Sequence, residues 1–97
     1  MPWFAKIETG IVEKSTFDRY VRPHIEYVKD LIANGHNAKS GYWGCRGGGM
    51  LLFEAESMEE AKAIVERDPL VVNKCVTYDL YEWCVVVEPS GDEGMRG

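Results

Sequence analysis

Three observations predict an α+β domain built in the order β-α-β-β-α-β. Several segments alternate with period two, two stretches repeat their apolar residues at helical spacing, and glycine- or proline-bearing breaks separate them. Residues 3–8 open the chain as a strand, with Trp3, Ala5 and Ile7 alternating against Phe4, Lys6 and Glu8. Gly10 breaks it. Ser15 followed three residues later by Asp18 resembles a capping box and allows a helix to start there. Phe17, Val21, Ile25, Val28 and Ile32 mark one helical face. Pro23 interrupts that face; it costs a helix interior about 3 kcal/mol and disfavours helical angles at the residue before it. The spacing therefore predicts a short turn before Arg22 and a main helix over 23–33, closed by Asn34-Gly35 with the glycine as a left-handed cap.

Residues 37–43 read as a second strand, and 44–49, with three consecutive glycines, as a flexible hairpin connection. Residues 50–56 read as a third strand, with Leu51, Phe53 and Ala55 on one side. Ser57 with Glu60 forms a capping box, which opens a second helix that Asp68-Pro69 ends. A short connector over 70–74 leads to a long last strand over 76–87. The polar, glycine-bearing residues 89–97 read as a disordered tail behind one domain over 1–88.

This order is the ferredoxin-like split βαβ unit, with two helices on one face of a four-stranded antiparallel sheet. The last strand then carries Val76, Tyr78 and Leu80 on one side and Tyr81, Trp83, Val85 and Val87 on the other. Both sides are apolar. A sheet face bearing Trp and Tyr calls for a covering partner, which predicts a homodimer packed sheet to sheet.

Composition narrows the function. Ninety-seven residues, 45% apolar, suffice for one core. Sixteen acidic against eleven basic residues leave a net charge of −5, which argues against nucleic acid or an anionic membrane surface. No apolar run approaches the roughly 18 residues of a spanning helix, and the first residues do not read as a signal peptide. Cys45, Cys75 and Cys84 are odd in number and form no C-x-x-C pair, so reduced thiols in a cytoplasm are expected rather than a disulfide frame or zinc site. Cys75 and Cys84 lie in an apolar segment, where a thiol packs as a small hydrophobe. The glycine-rich stretch 44–49 matches no phosphate-binding fingerprint, His36 has no spaced metal partner, and no nicotinamide, flavin or metal motif occurs, so no cofactor is expected.

Arg22-Pro23-His24, Ser40-Gly41-Tyr42-Trp43, Gly47-Gly48-Gly49, Glu54 to Ala61 and Asp68-Pro69-Leu70-Val71 follow one another in the order and spacing of the YciI-like family, in the dimeric α+β barrel superfamily, which the chain resembles over roughly residues 3–87. Two features depart from that family's pattern: Pro23 and His24 are adjacent, and Gly41 is followed by Tyr42 rather than proline. The resemblance implies a dimer or higher oligomer and a cleft lined by His24 and Asp68. One branch of the family is similar to a dehydrochlorinase acting on a chlorinated hydroxyquinol, and the superfamily includes muconolactone isomerases. On that footing His24 is a candidate general base and acid, and Asp68 the carboxylate that orients it. Arg22 is a candidate for binding a carboxylate or phenolate, and Tyr42 and Trp43 for walling an aromatic pocket. The function expected is a cofactor-free lyase or isomerase, acting by proton abstraction or dehydrohalogenation on a small cyclic or aromatic compound. The alternative is a non-catalytic oligomeric domain that binds a small ligand or another protein. Under it His24 and Asp68 are polar pocket lining or a structural pair; read singly, His24 could be a packed histidine and Asp68 a turn residue before proline.

Overall fold

In the computed structural model, which describes residues 1–89, one antiparallel sheet holds four strands: β1 (Trp3–Gly10), β2 (Lys39–Tyr42), β3 (Gly48–Glu54) and β4 (Val76–Trp83). Their order is β2-β3-β1-β4. The helices are α1 (Lys14–Asp18), α2 (Val21–Ala33), α3 (Met58–Val65) and a single turn, α4 (Pro69–Val72). This is the ferredoxin-like α+β fold. The first strand runs down the middle, paired with β3 on one side and β4 on the other.

Alternation along β1 sorts the two faces. Phe4, Lys6 and Glu8 point toward the helices and are buried. Phe4 lies opposite Phe53, their rings stacked with centroids 6.0 Å apart, beneath Val28 and Leu31 of α2 and Ala61 and Ile64 of α3. A second cluster gathers Leu70, Cys75 and Val76 with Phe17 and Tyr20. On the other face Trp3, Ala5 and Ile7 align with Glu54, Leu52 and Met50 of β3 and with Trp83, Tyr81 and Asp79 of β4, and Lys39 of β2 lies opposite Leu52. Among the described residues no helix covers that largely apolar face.

Several elements differ from the sequence expectation, each for a local reason. The N-cap of α1 is Glu13, so Ser15 lies inside the helix and forms no capping box. The main helix opens at Val21, not Pro23. Proline is tolerated there because first-turn N–H groups have no partner within the helix; the N–H of His24 makes the first bond, to Tyr20 at 3.0 Å. The buried stripe of α2 is His24, Val28 and Leu31, which leaves Ile25 and Ile32 on the surface. Connector residues 69–72 are helical because the Asp68 side chain accepts the Leu70 N–H and caps them. The last strand ends at Trp83, so Cys84 is exposed rather than packed, as is Cys45; Cys75 is buried. Of the expected tail, residues 90–97 lie outside the described residues.

Other signals act as read. Ser57 Oγ accepts the Glu60 N–H at 3.1 Å, while the Glu60 carboxylate reaches back to the Glu56 N–H. Gly35 sits at φ +87°, which allows the His36 N–H to bond Leu31 across the end of α2.

The triple glycine is not a flexible hairpin. Gly47 turns the chain at φ +91°, but Gly48 and Gly49 belong to β3. A Cβ on Gly48 would lie 2.1 Å from the Glu8 carbonyl oxygen, and one on Gly49 would lie 2.2 Å from that of Gly41. These glycines admit neighbouring backbone. Gly48→Ala is therefore expected to lower stability by at least about 2 kcal/mol. A urea midpoint unchanged from wild type would contradict this reading.

Candidate active site

Two sequence-distant residues meet beneath the first turn of α2. His24 is 9% exposed, and Asp68 is fully buried just before α4. His24 Nδ1 lies 2.9 Å from Asp68 Oδ1, so the structure brings the two together. The same Oδ1 accepts the Leu70 N–H at 3.0 Å. Oδ2 accepts from Lys6 Nζ at 2.6 Å, and Lys6 also donates to Glu8 Oε1 at 2.8 Å. Lys6 is fully buried, its ammonium 5.9 Å from the centre of the Tyr78 ring. On its far side His24 Nε2 lies 2.8 Å from Ser40 Oγ on β2.

Charge fixes the protons in this chain. Burial alone pushes the Asp68 pKa up and is the largest influence, but the His24 hydrogen bond and the Lys6 charge together outweigh it and hold the carboxyl below its ordinary value of 3.8. Asp68 is then ionised at neutral pH and only accepts hydrogen bonds. The Nδ1 atom of His24 must carry a proton to donate to it. In the neutral imidazole, which has one proton, Nε2 then presents its lone pair to the Ser40 hydroxyl, which donates to it. Such an arrangement can receive a proton at Nε2 and stabilise the resulting imidazolium against a fixed carboxylate. Nearby, the Tyr27 hydroxyl donates to the Ile64 carbonyl, and burial, followed by the charge of Asp68, pushes its phenol well above the usual range.

A cleft of about 1250 Å³ opens beside the pair. His24, Ser40 and Glu8 supply polar atoms to its wall; Phe17, Val21, Ile25, Val28, Ile32 and Leu70 supply apolar surface. The surface-facing apolar residues of α2 thus have a place. Tyr42 stands at the cleft mouth, 84% exposed. Trp43 lines a smaller recess with Tyr42 and Met50. Arg22 is exposed on the first turn of α2 and does not line the cleft. Among the described residues no group of three or more His, Cys, Asp or Glu side chains is placed to hold a metal, and no helix is long and apolar enough to cross a membrane.

Sequence reasoning missed Lys6, Glu8 and Ser40 as members of this site. Only one signal pointed to the first two: they lie on the same strand face as Phe4, a core residue. Ser40 carried none, since its role depends on β2 lying across from α2.

No family model matches the chain, and no curated protein matches it. Among solved structures, 5-chloro-2-hydroxyhydroquinone dehydrochlorinase from Burkholderia phenoliruptrix AC1100, in complex with 2,5-dihydroxybenzoquinone, matches with a TM-score of 0.64 and 21% identity. The match covers 93% of this chain and 99% of that one, and it establishes the shared fold.

Removing one partner of a buried ion pair leaves the other charge uncompensated, so Lys6→Met is expected to cost about 3–5 kcal/mol at pH 7. A depressed carboxylate pKa adds stability that is present above the unfolded value and lost as pH falls through the folded one. Denaturant titrations should therefore show the gap between wild type and Lys6→Met narrowing below about pH 4. A gap independent of pH would show that Asp68 is not the group Lys6 compensates.

Proposed function

We propose that the chain is a YciI-like, cofactor-free lyase or isomerase acting on a small cyclic or aromatic oxygenated compound, with His24 as base and acid and Asp68 as its orienting carboxylate. The observation that carries this reading is the 2.9 Å contact between His24 and a buried, charge-compensated Asp68 at the wall of an apolar cleft. A chain of like fold is named a dehydrochlorinase and was solved with a dihydroxybenzoquinone, which supports the reaction class.

In the proposed reaction Nε2 takes a proton from an acidic O–H or C–H of the ring compound. The electron pair left behind expels a halide or moves a double bond, and the imidazolium returns its proton to product or solvent. Ser40 yields its hydrogen bond to Nε2 as substrate enters. Asp68 holds the imidazole in one tautomer throughout, and Lys6 holds Asp68. Tyr42, at the cleft mouth, packs on the substrate ring. Arg22 and Trp43 lie outside the cleft walls and are assigned no contact. The apolar outer sheet face, with Tyr81 57% and Trp83 51% exposed, seats a second copy sheet to sheet.

Two measurements test this proposal. Wild-type protein is expected to release chloride from 5-chloro-2-hydroxyhydroquinone or from a panel of small halophenols. Folded His24→Asn should be slower by about 10²–10⁴-fold. Tight binding across that panel without turnover would instead support a ligand-binding module. Light scattering is expected to give twice the monomer mass, falling to the monomer mass in Trp83→Glu; a monomeric wild type would overturn the dimer.

A further inference from the structure

We infer that Ser40 is an activated nucleophile, and that the Ser40–His24–Asp68 chain gives the cleft a second reactivity: acyl transfer from small apolar esters. The inference stands apart from the lyase reading and needs none of its substrates. Ser40 Oγ lies 2.8 Å from His24 Nε2, and His24 Nδ1 lies 2.9 Å from Asp68 Oδ1. Three groups in this order, with the base oriented by a buried carboxylate, are the arrangement by which a serine hydroxyl loses its proton as it attacks. The Lys6 ammonium and the Leu70 N–H pin both oxygens of Asp68, so the imidazole is held toward Oγ and not left to rotate.

The position of Ser40 argues against a purely structural bond. Pairing opposite Leu51 turns it to the helix side of the sheet, where it is exposed and lines the cleft. An exposed hydroxyl is satisfied by water and needs no histidine to bury it. The cleft beside it is walled by Phe17, Val21, Ile25 and Leu70, which suits an ester with an apolar acyl or aryl group.

The step balances as follows. Ser40 Oγ forms a bond to the ester carbonyl carbon while its proton passes to Nε2. The carbon–oxygen bond to the leaving alcohol breaks, and Nε2 returns the proton to that oxygen. Water then gives a proton to Nε2 and its oxygen to the acyl carbon, and Oγ recovers the proton as the carboxylic acid leaves. In a phosphorylation test with a fluorophosphate the oxygen–phosphorus bond to Oγ forms, the phosphorus–fluorine bond breaks, fluoride departs, and the serine proton is lost to solvent through Nε2.

The experiment is labelling with diisopropyl fluorophosphate, read by intact mass and peptide mapping. One adduct is expected, on Ser40, absent in Ser40→Ala and formed about 100-fold more slowly in His24→Gln. In unaltered protein the labelling rate should rise with pH and level off once the imidazole is neutral. This second readout decides the matter should His24→Gln not fold. Hydrolysis of p-nitrophenyl acetate should likewise be lost in Ser40→Ala. An unlabelled Ser40, equal rates with and without His24, or a rate that climbs with hydroxide without a plateau would each overturn the inference. Labelling without chloride release would count against the lyase reading alone, and chloride release without labelling against this inference alone.

Discussion

The buried carboxylate of Asp68 is the junction on which the site and much of its surroundings depend. It receives the Lys6 ammonium from β1, the His24 imidazole from α2 and the Leu70 N–H of α4. Each donor comes from a different element. Taking a carboxylate out of water costs several kcal/mol, and only a full set of partners offsets it. Among the described residues no buried side-chain polar atom lacks a partner. The network therefore sets the position of the first turn of α2 against the centre of the sheet, and the orientation of His24 with it. Apolar side chains of similar volume often stabilise a fold as well as a buried ion pair does; in the proposed reaction these charges orient His24.

The rest of the fold is arranged so that this junction has a cleft beside it. Gly48 and Gly49 let β3 lie tight against its neighbours' backbone, which brings β2 and Ser40 across from α2. The stripe of α2 is split: Val28 and Leu31 enter the core, while Ile25 and Ile32 remain outside it and Ile25 walls the cleft. The opposite sheet face is largely apolar and, among the described residues, has no helix over it, which suits it to a second copy.

The architecture was legible because local signals agreed with the global fold. Period-two alternation located β1 and β4, the Ser57–Glu60 pair opened α3 where it was expected, and Gly35 closed α2. The site was half legible. His24 and Asp68 could be named through a family resemblance, but 44 residues separate them and no local rule states that they touch. Lys6 was hidden because a lysine alternating with apolar residues normally marks a solvated face, and here that face is the core. The glycines of β3 misled because their reason is a neighbouring backbone, visible only once the strands pair. Pro23 misled because its cost depends on its place in the helix, and the third residue is a harmless one.

The central claim is that ionised Asp68 holds His24 with its proton on Nδ1 and its lone pair on Nε2. The direct measurement is a long-range proton–nitrogen correlation on the His24 ring at neutral pH, repeated in Asp68→Asn. His36, whose Nδ1 donates to the Glu54 carbonyl, serves as an internal reference for the same tautomer. Wild type is expected to show a protonated Nδ1 and a bare Nε2, a preference that weakens in Asp68→Asn. A proton on Nε2 in wild type, or a tautomer indifferent to Asp68, would contradict it.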